Sequence, residues 1–382
     1  MNQPQYQKRL EALQNQLEEH KLDALALNPG PDLVYFSGLD FHLMERPVVA
    51  VLRKEGQPLL ILPALERGKL EDLPYPCRDF PYQEDRETWG KAFREALKSG
   101  NLSTGRLGII PRRLRVLEQR FLINAAPQAE LVDAQEVVSR LRMIKDPEEI
   151  RAMEEANRIA RCALQTTLSA IEPGVTEKEI ASKLVQWLLH HGSEPELPFF
   201  PIVSFGPNSA NPHAVPTDRR LKEGELILID WGANYRGYFS DITRTFAYGD
   251  LNPELDKVVE FVQEANAAGR EAVQSGIQAS RVDQLTRAVI EKAGYGDYFV
   301  HRTGHGLGLE AHEEPYITAD ENRALAPGMT FTIEPGIYLP GRGGVRIEDN
   351  LVVTETGARC LTSLPRELVR LDGQDPYEVP RT

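Results

Sequence analysis

The chain has 382 residues, about two and a half times the ~150-residue domain prior, so two domains are expected. Its 57 Asp and Glu against 44 Lys and Arg leave a net charge of -13, which repels phosphate backbones and anionic membranes and excludes a sequence-independent nucleic-acid binder. With 41% hydrophobic and 26% charged residues, the composition is globular and excludes wholesale disorder.

Residues 4 to 22 carry Leu10, Leu13, Leu17 and Leu22 at spacings of three to five, the pattern of an amphipathic helix. It leads into LDALALN. The apolar runs DLVYFSGL, RPVVAVLR, QPLLILPAL, RLGIIP and AELVDA then follow in series, separated by turn-rich or helix-like segments such as 86 to 99. Strand-sized runs alternating with helices predict an α/β domain over residues 1–140. None of the runs approaches the roughly 18 residues of a membrane span, and the polar start MNQPQYQKRLEALQNQ contains no apolar signal core. The three cysteines, Cys77, Cys162 and Cys360, are scattered and odd in number, which suits free thiols in a reducing compartment rather than a disulfide framework or zinc site. The cytoplasm is the expected location.

The composition changes at RLRMIKDPEEI. Asp146 is placed as an N-cap, Pro147 at the first helical position, and Glu148 and Glu149 at the positive end of the helix dipole. A second domain is expected from here, over residues 145–382. Its pattern is helix 147–171, helix 176–191, then strands near 199–205, 225–233 and 238–247. The order restarts with helices at 253–275 and 280–293 and strand-like segments near 328–338 and 344–353, as an internal duplication would leave it.

Four segments of this second domain carry chemistry. LILIDWGANYRGYFSDITRTF reads as two strands flanking a Gly-containing turn, each with one carboxylate, Asp230 and Asp241. HRTGHGLGLEAHEEP places His301, His305 and His312 within twelve residues, three of the chain's eight histidines. TIEPGIY holds Glu334 and GGVRIEDNLVVT holds Glu348, again on strand-like segments. Each acid alone reads as a salt-bridge or turn residue. Gathered together, four carboxylates and an imidazole would need cations, because buried unpaired charges cost several kcal/mol each. Two divalent metals satisfy that need. Oxygen-rich ligation with one histidine favours Mn, with Co, Fe or Zn as alternatives. Two ions can bridge a water, acidify it and polarise a carbonyl.

The set DWGA…SDITRTF, HRTGHGLGLEAHE, TIEPGIY and VRIED closely resembles the pita-bread metallopeptidases, in particular the proline-specific branch of Xaa-Pro dipeptidases (prolidases) and aminopeptidase P. The strong motifs span about residues 145 to 360, and the α/β N-domain matches that branch more loosely. The resemblance implies a creatinase/prolidase-type N-terminal domain and a duplicated α+β pita-bread catalytic domain. It implies metal ligands Asp230, Asp241, His305, Glu334 and Glu348, with Asp241 and Glu348 bridging and Glu334 doubling as general base. His213, seventeen residues before Asp230, matches the family's upstream substrate-contacting histidine, and His312 the histidine after the GHG motif. The implied mechanism is attack of a metal-bridging hydroxide on the carbonyl preceding proline. Because an Xaa-Pro bond has no N–H, His213 and His312 are the candidate donors to the leaving nitrogen and the oxyanion.

The resemblance leaves two substrates open. Dipeptidase action on Xaa-Pro is expected, with Xaa-Pro aminopeptidase action on longer peptides as the alternative. A dipeptidase needs a partner for the proline carboxylate, for which arginine is suited. Arg346, Arg323 and Arg46 are the candidates, Arg346 serving equally well as support for a ligand. A metal-free creatinase-like amidinohydrolase and a non-catalytic relative fit less well, because the five-ligand set is intact. The family generally forms homodimers, so a homodimer is expected.

Overall fold

The computed structural model describes residues 3–371; residues 1–2 and 372–382, which the two expected domains include, lie outside the described residues. The chain divides into two compact units, Met1–Arg142 and Met143–Thr382.

The first unit is built on a six-stranded mixed sheet whose central strand, Ala24–Leu27, pairs antiparallel with Val49–Arg53 and parallel with Thr104–Ile109. Leu59–Pro63 and Arg78–Tyr82 extend one side, and Gln128–Asp133 closes the other. The central strands are almost continuously apolar because they are buried on both faces. Phe93, Leu97 and Trp89 of helix Arg86–Ser99 pack on Val49, Val51, Leu59 and Ile61. The expected N-terminal helix is Gln3–Glu19, with Leu10, Leu13 and Leu17 buried. The run DLVYFSGL departs from the strand series. It forms helix Pro31–Ser37, because Pro31 sets the first helical φ, Asp32 lies in the first turn, and Gly38 ends it at φ 72°.

The second unit opens with helix Pro147–Leu168, started by a capping box: Asp146 accepts from Glu148 N and Glu149 N at 2.8 and 3.0 Å, and Glu149 accepts from Asp146 N at 2.9 Å. Thr176 and Glu179 repeat the device for helix Glu177–His190. Strands Ile202–Phe205, Glu225–Trp231 and Ile242–Tyr248 follow as consecutive antiparallel neighbours, with Val369–Leu371 added alongside the last. The second half repeats the order. Helices Pro253–Ala272 and Ala279–Lys292 precede strands Gly304–Gly306, Thr330–Ile333 and Asp349–Thr354, again consecutive antiparallel neighbours, flanked by Glu313–Ile317 and Gly357–Cys360. Helix pairs back both sheets. Ile159, Leu164, Ile180 and Leu184 cover Ile227, Ile229 and Phe246 in the first half, and Val273, Ala279 and Val282 cover Phe331, Ile333 and Leu351 in the second. This is the duplicated pita-bread architecture.

Candidate metal centre

The acids sit where strands stop. Asp230 is the penultimate residue of Glu225–Trp231, but Asp241 immediately precedes Ile242–Tyr248, Glu334 immediately follows Thr330–Ile333, and Glu348 immediately precedes Asp349–Thr354. The expected strand at 238–247 is broken at Ser240–Asp241, and those near 328–338 and 344–353 break at Glu334 and Glu348. At a break the side chain is released from strict up–down alternation, so acids from both strands of a hairpin reach one point. The duplication places each pair at equivalent ends of the second and third strands. An isolated antiparallel bridge between Thr243 and Glu348 joins the two halves there.

Ligand-capable atoms converge in overlapping groups, within each of which one donor atom per residue lies within 4.8 Å of the others: Asp230, Asp241 and Glu348; His305, Glu334 and Glu348; and Asp241, His305 and His312. Glu348 thus belongs with both pairs of acids. His305 is buried on strand Gly304–Gly306, with Nε2 3.2 Å from Glu334 Oε1 and 3.6 Å from Asp241 Oδ2. Its Nδ1 meets the Gly306 carbonyl at 3.1 Å. A carbonyl only accepts, so Nδ1 carries the proton and Nε2 offers its lone pair to the acids, the tautomer of a metal ligand.

The electrostatics ask for cations. Burial first, then the charges of Glu348, Asp230 and Glu334, holds the Asp241 carboxyl well above its usual range. Burial, then Glu334 and Asp230, does the same to Glu348. Asp230 is raised by burial against the pull of Arg346, and Glu334 is pushed up to about 7 by burial, opposed by Arg346 and reinforced by Asp230. Burial, with His312 and Arg302 nearby, lowers His305 far below the usual imidazole range, leaving it neutral. Asp230 Oδ1 is buried without a hydrogen-bond partner, which in a native site calls for an explanation such as an ion. Four clustered carboxylates, an orphaned oxygen and a neutral imidazole fit a pair of divalent cations.

A polar layer holds this cluster. Arg346 is 3% exposed and its guanidinium is spent inside the protein. It donates to Asp230 Oδ2 at 2.5 Å, Thr243 Oγ1 at 3.0 Å, Tyr338 Oη at 2.9 Å and the Pro212 carbonyl at 3.3 Å. The expectation that Arg346 reaches for a substrate carboxylate is therefore corrected: its geometry is that of support for Asp230. Tyr338 links on to His301 Nε2 at 2.7 Å. Neither Tyr338 nor Thr243 stands out in the sequence, although both lie inside the acid-bearing motifs, TIEPGIY and SDITRTF.

His312 lies against His305 with ring centroids 3.9 Å apart and the ring planes tilted by 53°, and its Nδ1 faces Arg302 Nη2 at 3.1 Å. The arginine can only donate, so the ring proton resides on Nε2. Desolvation, then Arg302 and His213, lowers its pKa to about 4. His213 is exposed on the loop after strand Ile202–Phe205. Buried Glu177 fixes that loop by accepting from Phe205 N, Asn208 Nδ2, Thr217 N and Thr217 Oγ1 at 2.5–3.0 Å. Pro212, next to His213, accepts from Arg346. Arg323 is tied through its backbone to Ala279 and Glu321. Arg46 belongs to the first unit, where it meets Glu84 at 2.7 Å. Arg302, beside His312 and 4.7 Å from the Tyr316 ring, was legible only as part of HRTGHG.

Comparisons with known proteins find relatives along both units. The model of metallopeptidase family M24 matches residues 151–355, and that of the creatinase/prolidase N-terminal domain matches residues 9–144. A putative dipeptidase, YkvY of Bacillus subtilis, is 35% identical over 363 residues, covering 95% of this chain and 99% of that protein. The Xaa-Pro dipeptidase of Lactobacillus helveticus is 34% identical over 360 residues, covering 94% and 98%. Among solved structures, a dipeptidase from Pyrococcus horikoshii OT3 superposes with a TM-score of 0.89 at 40% identity, covering 95% of this chain and 99% of that one.

Proposed function

The chain belongs to metallopeptidase family M24, and from that premise we propose that it hydrolyses the peptide bond preceding proline in Xaa-Pro dipeptides. The observation that carries the reading is the convergence of Asp230, Asp241, His305, Glu334 and Glu348. Its likeness over 94% of the chain to a protein named Xaa-Pro dipeptidase supports the substrate. Asp230, Asp241 and Glu348 would hold one divalent cation, and His305, Glu334, Asp241 and Glu348 the other. Manganese suits this oxygen-rich set with one imidazole. Such a pair supplies an acidified water and a polarised carbonyl.

The remaining chemistry belongs to the chain's own groups. Glu334, the acid that the family resemblance places beside the bridging water, is suited to accept and return a proton. His312 is neutral and presents Nε2–H, which makes it a hydrogen-bond donor to the substrate rather than a cation. His213 is the second donor, on a loop held by Glu177 and Arg346. Arg346 with Thr243 and Tyr338 keeps Asp230 and Glu348 oriented. Arg46 and Arg323 are retained as proposed partners for the proline carboxylate.

A cytoplasmic homodimer completes the reading. Three unpaired, partly buried cysteines suit a reducing compartment, and no helix among the described residues is long and apolar enough to cross a membrane. The dimer rests on the family resemblance alone. The deciding experiment compares Ala-Pro with Ala-Pro-Ala after reconstitution with Mn, Co or Zn separately. Release of free proline from Ala-Pro, abolished by chelator, is expected. Preferential release of the N-terminal residue from the tripeptide would overturn the dipeptidase reading in favour of aminopeptidase action.

A further inference from the structure

We infer that Asn266 is a positioning residue that sets the separation of Glu334 and Glu348, and so tunes how tightly the second half of the cluster binds a divalent cation. The inference rests on reading those two acids as metal ligands.

The need for such a residue follows from the strand pairing. Ile333 pairs with Asp349 at the end of one ladder, and Gly336 pairs with Arg346 at the start of the next. Segments 334–335 and 347–348 fall between the two ladders, and these segments carry the acids. A backbone bond from Ile347 N to the Pro335 carbonyl, 3.3 Å long, spans the gap. Regular pairing does not fix the distance between two chains at such a break. Carbonyls buried there also need donors from elsewhere.

Asn266 supplies both. It lies on helix Pro253–Ala272 and is 0% exposed. Its Nδ2 donates to the Ile333 carbonyl at 3.1 Å and to the Ile347 carbonyl at 3.2 Å. These are the residues immediately before Glu334 and Glu348. A single nitrogen therefore ties together the two backbone segments from which the acids project. The amide orientation is set independently, because Arg270, one turn further along the helix, donates Nε to Asn266 Oδ1 at 2.7 Å. Arg270 also lies 3.7 Å from Asp349 Oδ2, next to Glu348.

The residue type matches the task. A carboxamide carries two N–H groups on one uncharged nitrogen, one for each carbonyl, and an oxygen for the arginine. A hydroxyl has a single donor, and an ammonium would bring an uncompensated charge into the core. The first half uses the same residue type from the equivalent helix. Asn157 on Pro147–Leu168 donates Nδ2 to Asn350 Oδ1 at 3.1 Å, and that oxygen also accepts from Asp241 N at 3.0 Å. Asn350 Nδ2 donates to the Asp241 carbonyl in turn. In the first half the asparagine reaches the Asp241 backbone through the Asn350 side chain, whereas Asn266 bonds the acid-bearing backbone directly.

The test reads metal binding rather than peptide cleavage, so it stands apart from the identity of the substrate. Apo protein prepared with chelator is titrated with Mn(II) by calorimetry, and the visible spectrum of the Co(II)-loaded protein is recorded. Wild type is expected to bind two ions. Asn266→Leu keeps the branched shape and removes both donors. It is expected to weaken binding of an ion by about 10–100-fold, the usual range for residues behind the ligands, and to alter the Co(II) spectrum. Apo Asn266→Leu should retain a wild-type circular dichroism spectrum. An affinity for both ions within about threefold of wild type would overturn the inference while leaving the ligands in place. Failure of wild type to bind any Mn(II) or Co(II) would overturn the ligand reading and the inference together. Should apo Asn266→Leu fail to fold, Arg270→Gln decides. It removes the group that orients the amide from a side chain 25% exposed, and Asp349, which loses the 3.7 Å approach of Arg270, keeps its ion pairs with Arg244 and Arg366 at 2.7 Å each. Weakened binding then supports the inference, and unchanged binding overturns it.

Discussion

Thr243 and Glu348 hold each other across the junction of the two halves: Glu348 donates its N–H to the Thr243 carbonyl at 3.1 Å, and Thr243 Oγ1 donates to Glu348 Oε2 at 2.7 Å. The same hydroxyl accepts from Arg346 Nε at 3.0 Å, so its donor and acceptor are both used in a buried position. Thr243→Val keeps the shape and leaves two buried polar groups unmet, at about 1–3 kcal/mol. We expect a stability loss of that size in apo protein, read by urea unfolding, and metal affinity reduced by about tenfold or more. Thr243→Ser, which keeps the hydroxyl, should recover most of both.

Arg346→Met removes the guanidinium that faces Asp230. Both side chains are nearly sealed from solvent, at 4% and 11% exposure. Breaking a buried ion pair from one side strands the other charge, which costs about 3–5 kcal/mol. The apo variant should lose stability on that scale at neutral pH. Saturating Mn(II) should recover part of it, since a cation on Asp230 takes over the neutralising role. A variant as stable as wild type without metal would show that Arg346 does not hold Asp230 ionised.

The cluster of acids and His305 is legible in the sequence because each member lies inside a short motif whose neighbours are turn formers and small residues. DWGA, GHG and EPG each mark a place where backbone approaches closely. Gly304 illustrates the point: a Cβ there would lie 1.9 Å from the Thr332 carbonyl oxygen. The two-domain organisation is legible in the Asp146–Pro147 start signal. What periodicity hides is the set of strand breaks at Asp241, Glu334 and Glu348, because a break changes one or two residues in an otherwise apolar run. The polar layer is hidden for another reason. Tyr338, Thr243 and Asn266 are ordinary residues of strand and helix until long-range packing sets them beside the acids. The run DLVYFSGL forms helix Pro31–Ser37 and not a strand, because so short an apolar stretch is ambiguous by period alone.

Proton linkage gives a signed prediction. Glu334 is raised to about 7 from 4.5, and Asp241 and Glu348 are held well above their usual values. Folded apo protein therefore keeps protons that the unfolded chain has already released, so stability falls as pH rises through the folded values. The histidines act oppositely. His301 and His312 are lowered to about 3 and about 4 and His305 lies well below 6.5, so their contribution grows with pH and is complete above about 6.5. Above that pH the acids alone set the slope. The urea midpoint of apo protein should fall between about pH 6.5 and 8, and saturating Mn(II) should remove the fall. Mn(II) binding at pH 6.5 should release protons, measurable as a buffer-dependent heat. A flat apo profile with no proton release would refute the protonated cluster.

The two histidines proposed as donors separate catalysis from metal binding. His213 and His312 are exposed, whereas His305 is buried among the acids. Loss of a donor aimed at the reacting bond costs ~10² or more in turnover. His213→Ala and His312→Ala should therefore each lower kcat on Ala-Pro by ~10² while the protein still binds two ions. His305→Ala should lose an ion outright. Arg302→Met offers an internal check on His312. Without the guanidinium on Nδ1, the ring can move its proton to that nitrogen and lose the Nε2 donor, so kcat should fall with KM little changed. If both His→Ala variants keep turnover within about tenfold of wild type, neither ring donates to the transition state, and that role must pass to the metal pair.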